Sequence, residues 1–168
     1  RQLASIDAAD ENITELQSAV EAAAAKASEL ATSIYDAHKA AAPAFESAVE
    51  SILHKVGMES AKFKIGFESI PLSACGTEKI DFLFTANEGL TPRAVEKIAS
   101  GGELSRMMLA IKNVLSHSDP TDTLIFDEVD SGVSGKAGKR LAEKLQQVSK
   151  NRQVICVTHL PQIAAYAA

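Results

Sequence analysis

The sequence predicts an α/β fold with a parallel βαβ core, preceded by a long coiled-coil helix. Three observations carry this. Residues 1–56 place apolar side chains at a seven-residue repeat. Two short apolar runs, Leu124-Ile125-Phe126 and Val154-Ile155-Cys156-Val157, flank a helical pattern from about Gly135 to Ser149. Such a layout predicts two parallel strands joined by a right-handed crossover. Finally, Ser100-Gly101-Gly102 reads as a glycine turn that opens an amphipathic helix just ahead of the first run.

The rod comes first. Ile6, Ile13, Val20, Ala27, Ile34, Ala41 and Ala48 occupy one heptad position, and Ala9, Leu16, Ala23, Leu30, Ala37 and Ala44 fall three residues later. A sustained a/d seam of this kind argues for a coiled coil rather than a helix lying on a globular core. Alanine raises helix propensity, and the first forty residues would span about 60 Å at 1.5 Å per residue. Pro43 is predicted to kink or end the helix, with the seam shifting afterwards toward Ile52 and Val56. One strand of a coil leaves its seam open, so a partner helix is expected. The repeat is already running at Arg1, which leads to the expectation of a piece cut from a longer chain.

The charge is unevenly placed. Net charge is −5 over 168 residues. Residues 1–56 hold four Lys/Arg against nine Asp/Glu, whereas residues 57–168 hold thirteen of each. Composition therefore excludes an overall basic nucleic-acid-binding domain. Residues 131–152 are a local exception, with six Lys/Arg against Glu143 alone, and are read as a solvated helix face. Cys75 and Cys156 lack metal-like spacing, and Cys156 sits in an apolar run. This usage fits a reducing compartment. With no signal peptide and no membrane-length apolar run, a cytoplasmic protein without membrane contact is expected.

Residues 57–99 read as an approach segment. Gly57 is a helix stop. Phe63, Ile65 and Phe67 alternate, as do Ile80, Phe82 and Phe84, so two antiparallel strands with one apolar face each are expected. Pro71 and Gly76 place a long loop between them. Asn87-Glu88-Gly89-Leu90-Thr91-Pro92 is turn chemistry.

The chemistry lies beyond residue 99. Ser100 as N-cap and Glu103 at N3 form a capping-box pattern. Leu104, Met107, Met108, Ile111, Val114 and Leu115 then recur on one helix face. Glycines at a helix start let a ligand approach the backbone, and the free N–H groups there favour an anion such as phosphate. Leu124-Ile125-Phe126 predicts a strand covered on both faces, ended by Asp127 and Glu128. Ligands of open α/β sheets bind at such strand ends. One carboxylate there suits Mg²⁺ and a second can polarise water. Val129-Asp130-Ser131-Gly132 continues as a turn. The run from Gln153 to Thr158 delivers His159 to the end of a neighbouring strand, on the same sheet edge.

In that order, SGGELSR, TLIFDEVDSGVSG and VICVTHLPQIAA resemble the signature motif, Walker B, D-loop and His switch of ABC-type ATPases. With the coil upstream, the pattern is most similar to the RecN family, bacterial SMC-like ATPases of DNA double-strand break repair. The resemblance is strongest from Ile98 to Ala165. It implies the C-terminal lobe of an ABC-type P-loop ATPase head over residues 57–168, after a coiled-coil helix over 1–56. It further implies ATP and Mg²⁺ as cofactors, with Asp127 at the metal, Glu128 orienting the attacking water and His159 at the terminal phosphate. Ser100, Gly101, Gly102 and Glu103 would meet a nucleotide held by a second head, and Asp130 would line the seam between heads. Implied partners are that second head, an N-terminal lobe, an antiparallel coil helix and, for the intact protein, DNA of the bacterial nucleoid.

The phosphate-cradling loop G-x-x-x-x-G-K-[ST] is absent. Gly132-Val133-Ser134-Gly135-Lys136-Ala137 has too short a glycine spacing, and Ala137 supplies no hydroxyl. The chain alone is therefore expected to be inactive. The competing reading is a non-catalytic coiled-coil scaffold, which would have no use for Asp127, Glu128 and His159 together.

Overall fold

The computed structural model describes residues 2–97, 100–116, 118–133 and 135–167, with side chains from residue 12 onward. The side chains of the seam positions Ile6 and Ala9, and the decoy residue Ser134, thus lie outside what is described. A helix α1 (Gln2–Lys55) leads into a hairpin of β1 (Lys62–Ser73) and β2 (Gly76–Thr85), with a short β3 (Arg93–Ala94) antiparallel to β2. A 3₁₀ turn follows, then α2 (Gly101–Val114), β4 (Thr123–Phe126), α3 (Gly135–Ser149), β5 (Gln153–Cys156) and a final turn of helix, α4 (Pro161–Ala164). The sheet orders are β1-β2-β3 and β4-β5, and β4 and β5 are parallel, with Thr123 opposite Gln153 and Phe126 opposite Cys156. Among the described residues, no helix is long and apolar enough to cross a membrane.

The expected βαβ unit is present, and α3 has its expected bounds. Leu141, Leu145 and Val148 are buried and Ala137 is half-buried. Three expectations need correction. First, α1 does not end at Pro43 but runs on to Lys55. Proline removes one i→i−4 donor, but Pro43 and Lys39, whose carbonyl loses its partner, are both exposed, so water can satisfy the freed group. Second, the loop expected between the first two strands is strand almost throughout. The hairpin continues past Pro71 and reverses at Ala74-Cys75, with Gly76 at φ 109° absorbing the turn. Third, β4 is covered on one face only. Leu124 and Phe126 are buried, whereas Ile125 is 69% and Ile155 45% exposed.

The chain forms two compact units, residues 1–41 with 67–79 and residues 42–66 with 80–168. In the smaller unit the seam residues Ile13, Leu16, Val20, Leu30 and Ile34 are all exposed. A different face of the helix is occupied: Ala31 is buried, Tyr35 meets Phe67 edge-on at 5.8 Å, and His38 Nδ1 lies 3.0 Å from the buried Glu78 carboxylate.

In the larger unit Val49, Ile52 and Val56 join Met58, Phe63, Phe84, Met107 and Leu141 in one core, with Phe45 packed against it. Glu46, Glu50 and His54 sit four residues apart and serve the outer edge of β1. Glu46 accepts from the Ile65 N–H at 2.8 Å, Glu50 from the Phe63 N–H at 2.9 Å, and His54 Nε2 lies 3.0 Å from the Ala61 carbonyl. Four helical residues rise about 6 Å and two strand residues about 6.6 Å, so each helical turn meets the next outward-facing backbone group. Edge strands otherwise present a row of unpaired polar groups, and these side chains satisfy its first members.

Candidate functional site

The helix α2 starts as its cap predicts. Ser100 is extended, its side chain accepts from the Glu103 N–H at 3.4 Å, and its carbonyl accepts from the Leu104 N–H at 3.1 Å. The apolar face is rotated from the expected one. Met107, Leu109, Ala110 and Ile111 are buried, together with Arg106 and Asn113, while Leu104, Met108 and Leu115 are each 37% exposed. The reason is polar. Arg106 points inward, donating from Nη1 to the carbonyls of Val129 at 3.2 Å and Ser131 at 2.7 Å. Asn113 donates to the Lys144 carbonyl at 3.1 Å. Burial pulls the Arg106 guanidinium down from its ordinary value, against the opposing charges of Glu103 and Asp130.

The two glycines have a reason that spacing alone does not supply. A Cβ on Gly102 would stand 2.8 Å from the Ser131 Cβ and 2.9 Å from the Glu128 carbonyl oxygen. At Gly101 it would collide with the Glu128 carboxylate. The close approach is therefore made by the chain's own turn after β4. Ser105 adds a third tie, donating to the Asp127 carbonyl at 2.6 Å.

That turn holds three acids in two different states. Asp127 and Glu128 are exposed. Asp127 Oδ1 accepts from the Glu128 N–H at 2.9 Å, and Glu128 stands at φ 56°, the only described non-glycine residue with positive φ. Such a conformation costs of order 1–3 kcal/mol and persists where surrounding structure enforces it. Asp130 is 7% exposed. Its Oδ2 accepts from Thr158 Oγ1 at 2.5 Å, from the His159 N–H at 2.8 Å and from the Leu160 N–H at 3.3 Å. Burial pushes its carboxyl up, but the bonds from Thr158, His159 and Leu160 outweigh it and leave the group below the usual carboxylate range. Asp130 thus faces inward and ties the turn to the end of β5. It also lines a cleft beside Asp127 and Glu128.

The result is one open cleft of about 280 Å³, lined by Asp127, Glu128, Asp130, Ser131, Val157, His159 and Leu160. Asp127, Glu128 and His159 share that rim, with Gly101 against Glu128, and Ser100, Gly101 and His159 are exposed. Gly102 is buried under the turn, and the Glu103 carboxylate makes no reciprocal cap bond among the described residues. Among the described residues no cluster of three or more His, Cys, Asp or Glu could hold a metal by itself. An exposed carboxylate such as Asp127 is the donor type that Mg²⁺ takes when substrate phosphates and water complete its shell. Sequence reasoning missed Arg106, Thr158 and Ser105. The arginine following S-G-G-E-L-S was in plain sight, but only the fold shows that its side chain faces inward.

Comparison with solved structures identifies the class. The chain shares the fold of SMC head domains. It matches an Smc head bound to the C-winged helix domain of ScpA with TM-score 0.53 and 22% identity, over 84% of the chain and 42% of that structure. An Smc head with coiled coil and joint from Pyrococcus yayanosii matches at TM-score 0.54 and 21% identity, over 74% of the chain and 23% of that structure. No protein-family model matches.

Curated relatives then narrow the class to a family. The chain is 33% identical to the DNA repair protein RecN of Halalkalibacterium halodurans over 99% of its length, and 36% identical to that of Vibrio cholerae over 98%. That of Treponema pallidum is 45% identical over 76% of the chain. The chain belongs to the RecN family, and it spans 30%, 30% and 24% of the length of these three relatives, respectively.

Proposed function

We propose that this chain supplies one half of a composite Mg²⁺-ATP site in an SMC-like ATPase of DNA double-strand break repair and recombination. The observation that supports it most is the shared rim: Asp127, Glu128 and His159 at the ends of two adjacent parallel strands, beside an exposed helix start at Ser100.

In this reading Asp127 holds Mg²⁺, which would neutralise charge on the nucleotide phosphates. Glu128 orients and polarises the attacking water, as a carboxylate within reach of a bound water can. His159 donates toward the terminal phosphate. Ser100 and Gly101, at the positive end of α2, receive a phosphate on a nucleotide held by a second copy. Asp130 positions His159 by fixing its backbone N–H. The lobe carrying the phosphate-cradling loop, and an antiparallel helix covering the seam of α1, complete the head. Closure of two heads on ATP, and release after hydrolysis, couples the site to DNA in the bacterial cytoplasm.

The test is Glu128→Gln in the intact protein. ATP should still drive association of two heads, and the complex should persist because turnover stops. Hydrolysis at the unaltered rate would refute the role given to Glu128.

A further inference from the structure

The outer face of α3 is strongly and asymmetrically charged. Lys136, Lys139, Arg140 and Lys150 are exposed, Lys144 is half-exposed, and Glu143 is the lone acid of the helix. Among the described residues, Lys136, Lys139, Arg140 and Lys150 have no hydrogen-bond or ion-pair partner, whereas Lys26, Lys64 and Lys112 do. Glu50, which lines a groove with Arg140, already accepts from the Phe63 N–H, which leaves Glu143 as the one acid of α3 to offset these cations.

The face extends onto the end of α1. Arg140 lines an open groove of about 420 Å³ with Ser47, Glu50, Ser51, His54 and Lys55. Burial, and then the charge of Lys55, lower the Lys144 ammonium from its ordinary value, so the two cations feel each other. Position within the helix adds to the field. Lys136 and Lys139 sit in the first two turns of α3, where the macrodipole already presents positive charge. Stability alone favours acids there, and none is present.

Lys136, Arg140 and Lys144 recur every four residues, so they form a stripe with about 6 Å between steps. Duplex DNA carries one negative charge per about 1.7 Å of axis, dense enough to meet every member of the stripe. A chain with net charge −5 that gathers unpaired cations on one helix presents the electrostatic footprint of a polyanion site. We propose that the outer face of α3, with Lys55 beside it, contacts the phosphate backbone of duplex DNA without reading its sequence. This rests on the reading that the intact protein acts on DNA, and it says where the duplex is touched.

The test uses the intact protein, without nucleotide, titrated against a short fluorescent duplex over a series of salt concentrations. Lys136→Ala/Lys139→Ala/Arg140→Ala should weaken binding at least tenfold and flatten the log–log salt slope by about 2–3, near 0.9 for each phosphate left without its cation. The single reversal Lys139→Glu should act in the same direction. A control that removes three partnered lysines elsewhere, Lys26→Ala/Lys39→Ala/Lys64→Ala, should leave the slope unchanged. If the unaltered protein binds and the α3 variants bind with the same affinity and slope, the inference is overturned while the DNA reading stands. Equal weakening in the control set also overturns it, since the effect would then be total charge. Failure of the unaltered protein to bind duplex removes the DNA reading, and the inference with it.

Discussion

The turn after β4 joins two regions that share a composition and differ in every physical respect. Asp127 and Glu128 are exposed, line the cleft and hold one backbone N–H between them. Two residues on, Asp130 is buried and receives three hydrogen bonds from the end of β5. The same chemical group is free for a ligand in the first place and consumed by the fold in the second. An acid's neighbours, not its identity, decide whether it is available for chemistry.

That contrast can be broken from either side. Glu128→Gln should lower ATP hydrolysis by the intact protein by about 10²-fold or more, the scale of losing a positioned acid–base group. It should leave stability within about 0.5 kcal/mol, as exposed substitutions do. Asp130→Ala should invert the pattern. It strands buried donors, so chemical denaturation should report a loss of about 1–3 kcal/mol, and any loss of activity should track the misplacement of His159. If Asp130→Ala is stable and Glu128→Gln is not, the division of labour is wrong.

A smaller effect separates the two glycines. Gly102→Ala must fit a methyl against the Ser131 Cβ at 2.8 Å and the Glu128 carbonyl at 2.9 Å, both close to the main chain. Overpacking of this sort costs about 1–3 kcal/mol. Gly101→Ala meets only the end of the flexible Glu128 side chain, so thermal melting should show a lesser loss.

The smallest expected effect is in pH. Asp119 is held far below the usual carboxylate range by Lys112 first, then Thr121 and Arg152. Asp130 is lowered more modestly. Both groups have folded values below the free value near 3.9, so the stability they contribute is complete above that pH. It is lost as pH falls through the lower, folded values. Denaturation midpoints should therefore be flat near neutrality and decline below about pH 4. Asp119→Asn should lessen that decline, and an unchanged acid limb would show that its ion pairs contribute nothing.

Much of this was legible in the sequence because local patterns and tertiary demands agree. The period of α3, the capping serine of α2 and the parallel β4 and β5 all follow from spacing. What misled was the assumption that apolar spacing alone names the buried face. On α2, inward-facing Arg106 and Asn113 rotate the helix so that Leu104 and Met108 are exposed. On α1, alanine is so frequent that the contacts of Tyr35 and His38 in one unit, and of Phe45 and Val49 in the other, lay hidden behind the heptad. Nothing in the spacing of Glu46, Glu50 and His54 names the backbone groups near the start of β1 that they meet. Long-range backbone partners leave no periodic trace.

The central claim is that the site is shared between copies. It is tested most directly by mixing two inactive intact proteins, one carrying Ser100→Arg and the other Glu128→Gln. In a mixed pair, one site combines the unaltered Glu128 of the first with the unaltered Ser100 of the second. The account predicts that the mixture regains ATP hydrolysis that neither protein has alone. A mixture that exchanges copies and stays as inactive as its components would contradict it.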